Sequence, residues 1–156
     1  MGLREIKSDL NKMNKLELIK LISELYKNVP SAKEYLDILV TGRVKEVLDK
    51  YKLEIEKYIF PYGRNMVLKE SKARKKIREI RKLKITELNI EIELHYVTCC
   101  LEVVEDYGYY DGDYFYHISS MYNSALQGIE LMGIESKYQN RLDEILNRAH
   151  KNDIEL

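Results

Sequence analysis

Apolar residues recur at three- and four-residue intervals along nearly the whole chain, and almost nothing interrupts them. Only two prolines and seven glycines occur in 156 residues, which leaves little turn chemistry and favours long helices over many short strands. Leu3, Ile6 and Leu10 mark a short first helix. Asn14 stands three residues before Glu17, the spacing of a capping box, and opens a helix over Lys15–Asn28 with Leu18, Leu21, Ile22 and Leu25 on one face. Pro30 and Ser31 break it. A short helix follows with Tyr35, Leu36 and Leu39 as its buried face, and Gly42 closes it. Val44, Val47, Leu48, Tyr51, Ile55, Tyr58 and Ile59 predict a longer helix that Pro61 stops, with Pro61–Asn65 as a loop.

One stretch carries two signals. Ile90, Ile92, Leu94 and Tyr96 alternate with polar residues as in a strand. Over a wider window Glu87, Glu91, His95, Thr98, Glu102 and Glu105 fall on one helical stripe, flanked on both sides by apolar residues such as Leu88, Ile92, Cys99, Leu94, Leu101 and Val104. Helix is the better expectation, with Thr86 as its cap. Gly108–Asp113 reads as a turn. Asp113 is then expected to cap a helix through Phe115, Ile118, Tyr122, Ala125, Ile129 and Met132, ending at Gly133. Gly128 inside it predicts close approach of a neighbouring backbone. Ser136 opens a last helix carrying Tyr138, Leu142, Ile145, Leu146 and Ala149. The expected fold class is all-α: a single domain over 1–156, of about seven or eight helices, packed as antiparallel hairpins around the Glu87–Tyr107 helix.

Charge is sorted along the chain although the total cancels to zero. Between Arg64 and Lys84 ten basic residues stand against Glu70 and Glu79, net +8; between Ile85 and Ser136 ten acids stand against no Lys or Arg. The expectation is that the basic helix 69–84 packs antiparallel to the acidic one and the charges pair across that seam. The alternative is an exposed cationic arc, Arg74, Lys75, Arg78, Arg81 and Lys82, available to nucleic-acid phosphates. This helix has no aromatic residues on which single-stranded bases could stack.

Thirteen tyrosines and no tryptophan give many half-buried rings with a polar tip. Tyr107, Tyr109, Tyr110, Tyr114 and Tyr116 crowd the acidic turn as a contact surface, the first four being the expected anchors for a protein partner or for self-association. Glu91, His95, Glu102 and His117 are the weaker candidates for a metal, because the Glu-x-x-His spacing of helical di-metal sites is missing. Asp111-Gly112-Asp113 lacks the ligand alternation of a calcium loop. No nucleophile elbow, glycine-rich phosphate loop or other catalytic set is visible, so no catalytic residue and no cofactor is expected. The adjacent cysteines Cys99 and Cys100 read as buried reduced thiols in a cytoplasmic protein. The charged opening segment predicts no signal peptide, and no apolar run has the length of a membrane span.

Lys15-Leu16-Glu17-Leu18-Ile19 leading to Leu25-Tyr26, Lys33-Glu34-Tyr35-Leu36, Tyr58-Ile59-Phe60-Pro61 with Gly63-Arg64, Lys72-Ala73-Arg74-Lys75-Lys76-Ile77 and the segment from Tyr138 to Ile145 together resemble a family of small all-helical bacterial proteins known only as a domain of unknown function. The resemblance runs from about Lys7 to Arg148. It implies an all-helical domain and brings no activity or catalytic residue with it. The function expected from these observations is a non-enzymatic protein–protein interaction module. Nucleic-acid binding through helix 69–84 is the alternative, and a metal-dependent helical enzyme comes third.

Overall fold

The computed structural model describes residues 2–60, 68–109 and 111–156. Among them are eight helices and no strand: α1 (Leu3–Leu10), α2 (Lys15–Asn28), α3 (Pro30–Leu39), α4 (Val44–Ile59), α5 (Glu70–Arg81), α6 (Thr86–Tyr107), α7 (Gly112–Met132) and α8 (Glu135–Lys151). The alternating pattern around Ile90–Tyr96 therefore lies inside a helix, as the wider window predicts. The expected loop at 61–65 falls outside the described residues. No helix among those described is long and apolar enough to cross a membrane. The chain divides into two compact units, Met1–Val44 and Lys45–Leu156.

In the first unit Asn14 caps α2 as its spacing requires: its side chain accepts from the Glu17 N–H, and the Glu17 carboxylate accepts from the Asn14 N–H, at 3.0 and 2.8 Å. Pro30 is the first residue of α3, where its missing N–H costs nothing, so it starts that helix as well as ending α2. The Tyr26 hydroxyl donates to Asp37 and ties α2 to α3. Burial differs from expectation. Ile38 is the one buried residue of these three helices, while Tyr35 and Leu39 are 43% and 57% exposed. A short helix pair has too little surface to cover all the apolar residues it carries.

The second unit is organised by α6, twelve of whose residues are buried, including Leu88, Ile92, Leu94, Tyr96, Val97 and Leu101. Ile85 rather than Thr86 is its N-cap, and Gly108 closes it in the left-handed conformation. The cap of α7 is Asp111, not Asp113: its carboxylate accepts from the Tyr114 N–H at 3.0 Å, starting the helix earlier than expected. Contacts pair Ile90 with Gly128, Glu93 with Ser124 and Cys100 with Tyr114, so α7 runs antiparallel to α6. On α8, Lys137, Arg141 and Arg148 meet Glu87, Glu91 and Glu105 in the same order, so α8 runs parallel to α6. Leu146, expected inside, faces outward at 41% exposure.

Gly128 sets the α6–α7 spacing. A Cβ there would lie 2.9 Å from Cγ1 and 3.3 Å from Cδ1 of buried Ile90. The close neighbour is thus a side chain, where the spacing alone suggests backbone. Alanine would gain about 1 kcal/mol of helix propensity, but inserting a methyl into this contact costs about 1–3 kcal/mol. Gly128→Ala is expected to lower stability in urea denaturation. In a double-mutant cycle with Ile90→Ala the loss in the double mutant should be less than the sum of the two single losses.

A cationic groove between α5 and α7

The pairing of the two charge blocks is only partly the expected one. Lys72, Lys75, Arg78 and Lys82 make no ion pair among the described residues, and of the basic helix only Arg81 forms an ion pair with α6. The acidic stripe is neutralised from elsewhere. Arg141 donates to Glu91 at 2.9 Å with Lys52 at 3.7 Å, Arg148 forks onto Glu105 at 2.9 and 2.6 Å, and Lys137 contacts Glu87. Sequence adjacency favoured α5 as the partner of α6, but α8 lies parallel to α6 and offers its cations in register.

Arg81 meets Glu93, which lies off the acidic stripe and is 2% exposed. Its Nε donates to Glu93 Oε1 at 2.8 Å and its Nη2 to Ser124 Oγ at 3.1 Å, while the Ser124 hydroxyl donates to the same carboxylate at 3.0 Å. Burial pushes the Glu93 carboxyl above its usual range, and Arg81 and Ser124 pull the other way. One turn behind on the same face comes Arg78, then Arg74, whose Nε donates to Glu70 at 2.6 Å; Glu70 also accepts from the Tyr96 hydroxyl.

These three arginines form one wall of a groove of about 610 Å³. The other wall is α7, with Tyr116, His117, Ser119, Ser120, Asn123 and Gln127. Tyr116 is 69% exposed, and its ring stands edge-on to His117 with centroids 5.7 Å apart. Arg74 and Arg81 are held by carboxylates at either end, which leaves Arg78 between them as the uncommitted guanidinium. A second hollow of about 310 Å³ continues past Arg74 and His117 to Glu70, Asp111 and Asp113, so the positive lining gives way to acid there.

The predicted site residues therefore separate. Arg74, Arg78 and Arg81 share the groove, while Lys75 and Lys82 are exposed outside its lining. Of the tyrosines, Tyr107 is exposed, but Tyr114 is buried at 4%, donates to the Cys100 carbonyl and carries Tyr109 edge-on at 4.9 Å. Tyr110 lies outside the described residues. Tyr114 anchors the core and is not a surface contact. Of the metal candidates, His117 lines the groove and Glu91 is taken up by Arg141 and Tyr138. Among the described residues only His95 of these stands in a group of potential ligand atoms, with Glu56 and Cys99 rather than with Glu91 or Glu102. Tyr116 and the α7 hydroxyls escaped the sequence reading as groove residues because nothing in a linear pattern tells which face of α7 looks at α5.

Arg81 and Glu93 act as one unit. Arg81→Met leaves a buried carboxylate without its partner and should cost about 3 kcal/mol in urea denaturation, with much of the loss recovered in Arg81→Met/Glu93→Gln. Glu91 behaves oppositely to Glu93. Burial disfavours its charge, yet the Tyr138 hydroxyl, Arg141 and Lys52 outweigh this and hold it below the ordinary 4.5. The native state thus binds fewer protons there than the unfolded chain, so this stabilisation is full above the ordinary value and is lost as pH falls through the native one. Glu91→Gln should lower the melting temperature at neutral pH and flatten its decline in acid between about pH 5 and 3.

No curated protein and no solved structure matches the chain. A family model does, over residues 1–155, and it is described as a family of unknown function, DUF6155. An all-helical chain matched along almost its entire length by that model belongs to this family.

Proposed function

We propose that this protein is a non-catalytic nucleic-acid-binding protein that holds a single strand in the α5–α7 groove. The observation that carries the reading is the meeting of Arg74, Arg78 and Arg81 with the exposed ring of Tyr116 and with His117 across one groove. Guanidinium forks match phosphate oxygens, and an aromatic face accepts any base by stacking, which is worth about 1–3 kcal/mol per base. The basic helix lacks rings of its own, and α7 supplies them. Lys72, Lys75 and Lys82 extend the positive field along the exposed side of α5. Serine hydroxyls and amides on α7 add donors suited to sugar and phosphate. The carboxylates at Asp111 and Asp113 repel a polyanion and so bound the binding stretch at Arg74.

Fluorescence anisotropy with labelled single-stranded and duplex oligonucleotides, titrated over a range of salt, tests this. Binding should weaken with salt at a log–log slope of about −0.7 for each phosphate neutralised on a single strand. Arg78→Ala should reduce the slope by about one phosphate without altering the urea midpoint. Tyr116→Ala should weaken the single strand about tenfold and the duplex little. No binding at low salt would overturn the proposal. A protein contact at the exposed Tyr107 side would then be the reading to pursue.

A further inference from the structure

We propose that Glu56, His95 and Cys99 form a three-ligand site for a divalent transition ion of the zinc or cobalt type. The site shares no residue with the groove and does not depend on what the groove binds. His95 and Cys99 are four residues apart on α6, so their side chains project from the same strip of one rigid helix. Glu56 reaches them from α4. His95 Nε2 stands 3.0 Å from Glu56 Oε1 and 3.5 Å from Cys99 Sγ, and all three atoms lie within 4.8 Å of one another.

His95 and Glu56 are at hydrogen-bond distance, and the separations of all three atoms are close to those of a metal's ligands. Ligand atoms at about 2.0–2.3 Å from a tetrahedral ion are about 3.4 Å apart. The His95–Cys99 edge, at 3.5 Å, already has that length; the His95–Glu56 edge, at 3.0 Å, is shorter and must open slightly, which Glu56, the most exposed of the three, has freedom to do. A sulfur at 3.5 Å from an imidazole nitrogen gains little as a hydrogen bond. Imidazole, thiolate and carboxylate together are zinc-type donors, and the sulfur disfavours magnesium and calcium. Glu56 is the partly exposed member of the three, so the group meets solvent on its side.

The surrounding charges are compatible with a cation. Lys52 and Arg141 lie near the His95 ring, but both are engaged by Glu91, at 3.7 and 2.9 Å. Beside Cys99, Glu56 and Glu102 add negative charge, opposed by Arg148, which Glu105 holds, and by Lys52. Binding requires proton movement. The Cys99 thiol proton leaves to solvent, and His95 coordinates through Nε2 while keeping its proton on Nδ1. Without an ion, burial and the nearby carboxylates keep that thiol protonated, pushed up to about 12. Linear spacing does not point to this site, because its carboxylate comes from a helix far back in the sequence.

The test uses the untagged full-length chain, stripped with chelator and titrated with cobalt(II) under a non-coordinating reductant. The expected result is one equivalent bound with intense tetrahedral visible bands and a thiolate-to-cobalt charge-transfer band in the near ultraviolet, both bleached by zinc. Cys99→Ser should abolish the charge-transfer band. Glu56→Gln, at a half-exposed position where folding is safe, should weaken affinity by more than about 100-fold, beyond the 10–100-fold loss typical of outer-shell changes. His150→Ala, an exposed histidine of α8, should change nothing. A weak octahedral spectrum, or a charge-transfer band that survives in the Glu56→Gln protein at unchanged affinity, would overturn the site and leave the three side chains as a hydrogen-bonded link between α4 and α6.

Discussion

Burying α6 is the demand on which the second unit depends. This helix puts twelve residues out of water and carries carboxylates at Glu87, Glu91, Glu93, Glu102 and Glu105. An ionised carboxylate at the edge of a core is tolerated only with a cation or several donors at hand. Each neighbouring helix is therefore placed partly by what it brings to α6. Helix α8 supplies Lys137, Tyr138, Arg141 and Arg148; α4 supplies Lys52; α5 supplies Arg81 for the most deeply buried acid, Glu93.

That distribution decides what is left over. Because α8 and α4 neutralise most of the acidic stripe, α5 spends one arginine on α6 and one on Glu70, and Lys76 on Glu54 of α4. Its other cations face water or the groove. A whole-chain charge of zero thus coexists with a strongly positive local surface. The Arg81–Glu93–Ser124 network links stability to the groove: the guanidinium that closes one end of the groove is the same one that makes burial of Glu93 tolerable.

Much of the local structure was legible. Asn14 and Glu17 bound each other as their spacing required, and Gly108 and Gly133 ended helices in the left-handed conformation that glycine alone adopts without strain. The caps of α6 and α7 were each misplaced by one or two residues. At α7 both Asp111 and Asp113 can accept an orphan N–H and the fold uses Asp111; at α6 the cap is Ile85, which has no side-chain acceptor, so no capping signal marks it. The exposure of Tyr35, Leu39 and Leu146 was not legible, since periodicity reports which residues could share a face but not whether anything covers it.

By itself the sequence determined which segments are helices and their ends to within a few residues, because spacing, caps and breakers act locally along the chain; α3 is capped at Val40 rather than Gly42, and α8 starts at Glu135 rather than Ser136. It also determined that acid and base are segregated. Only the tertiary structure decided which base met which acid, that Tyr116 and His117 stand across from Arg78, and that Glu56 reaches His95 and Cys99. Those are relations between faces of different helices. They follow from how ridges, glycines and buried carboxylates lock the helices together, and a linear pattern holds no record of that geometry.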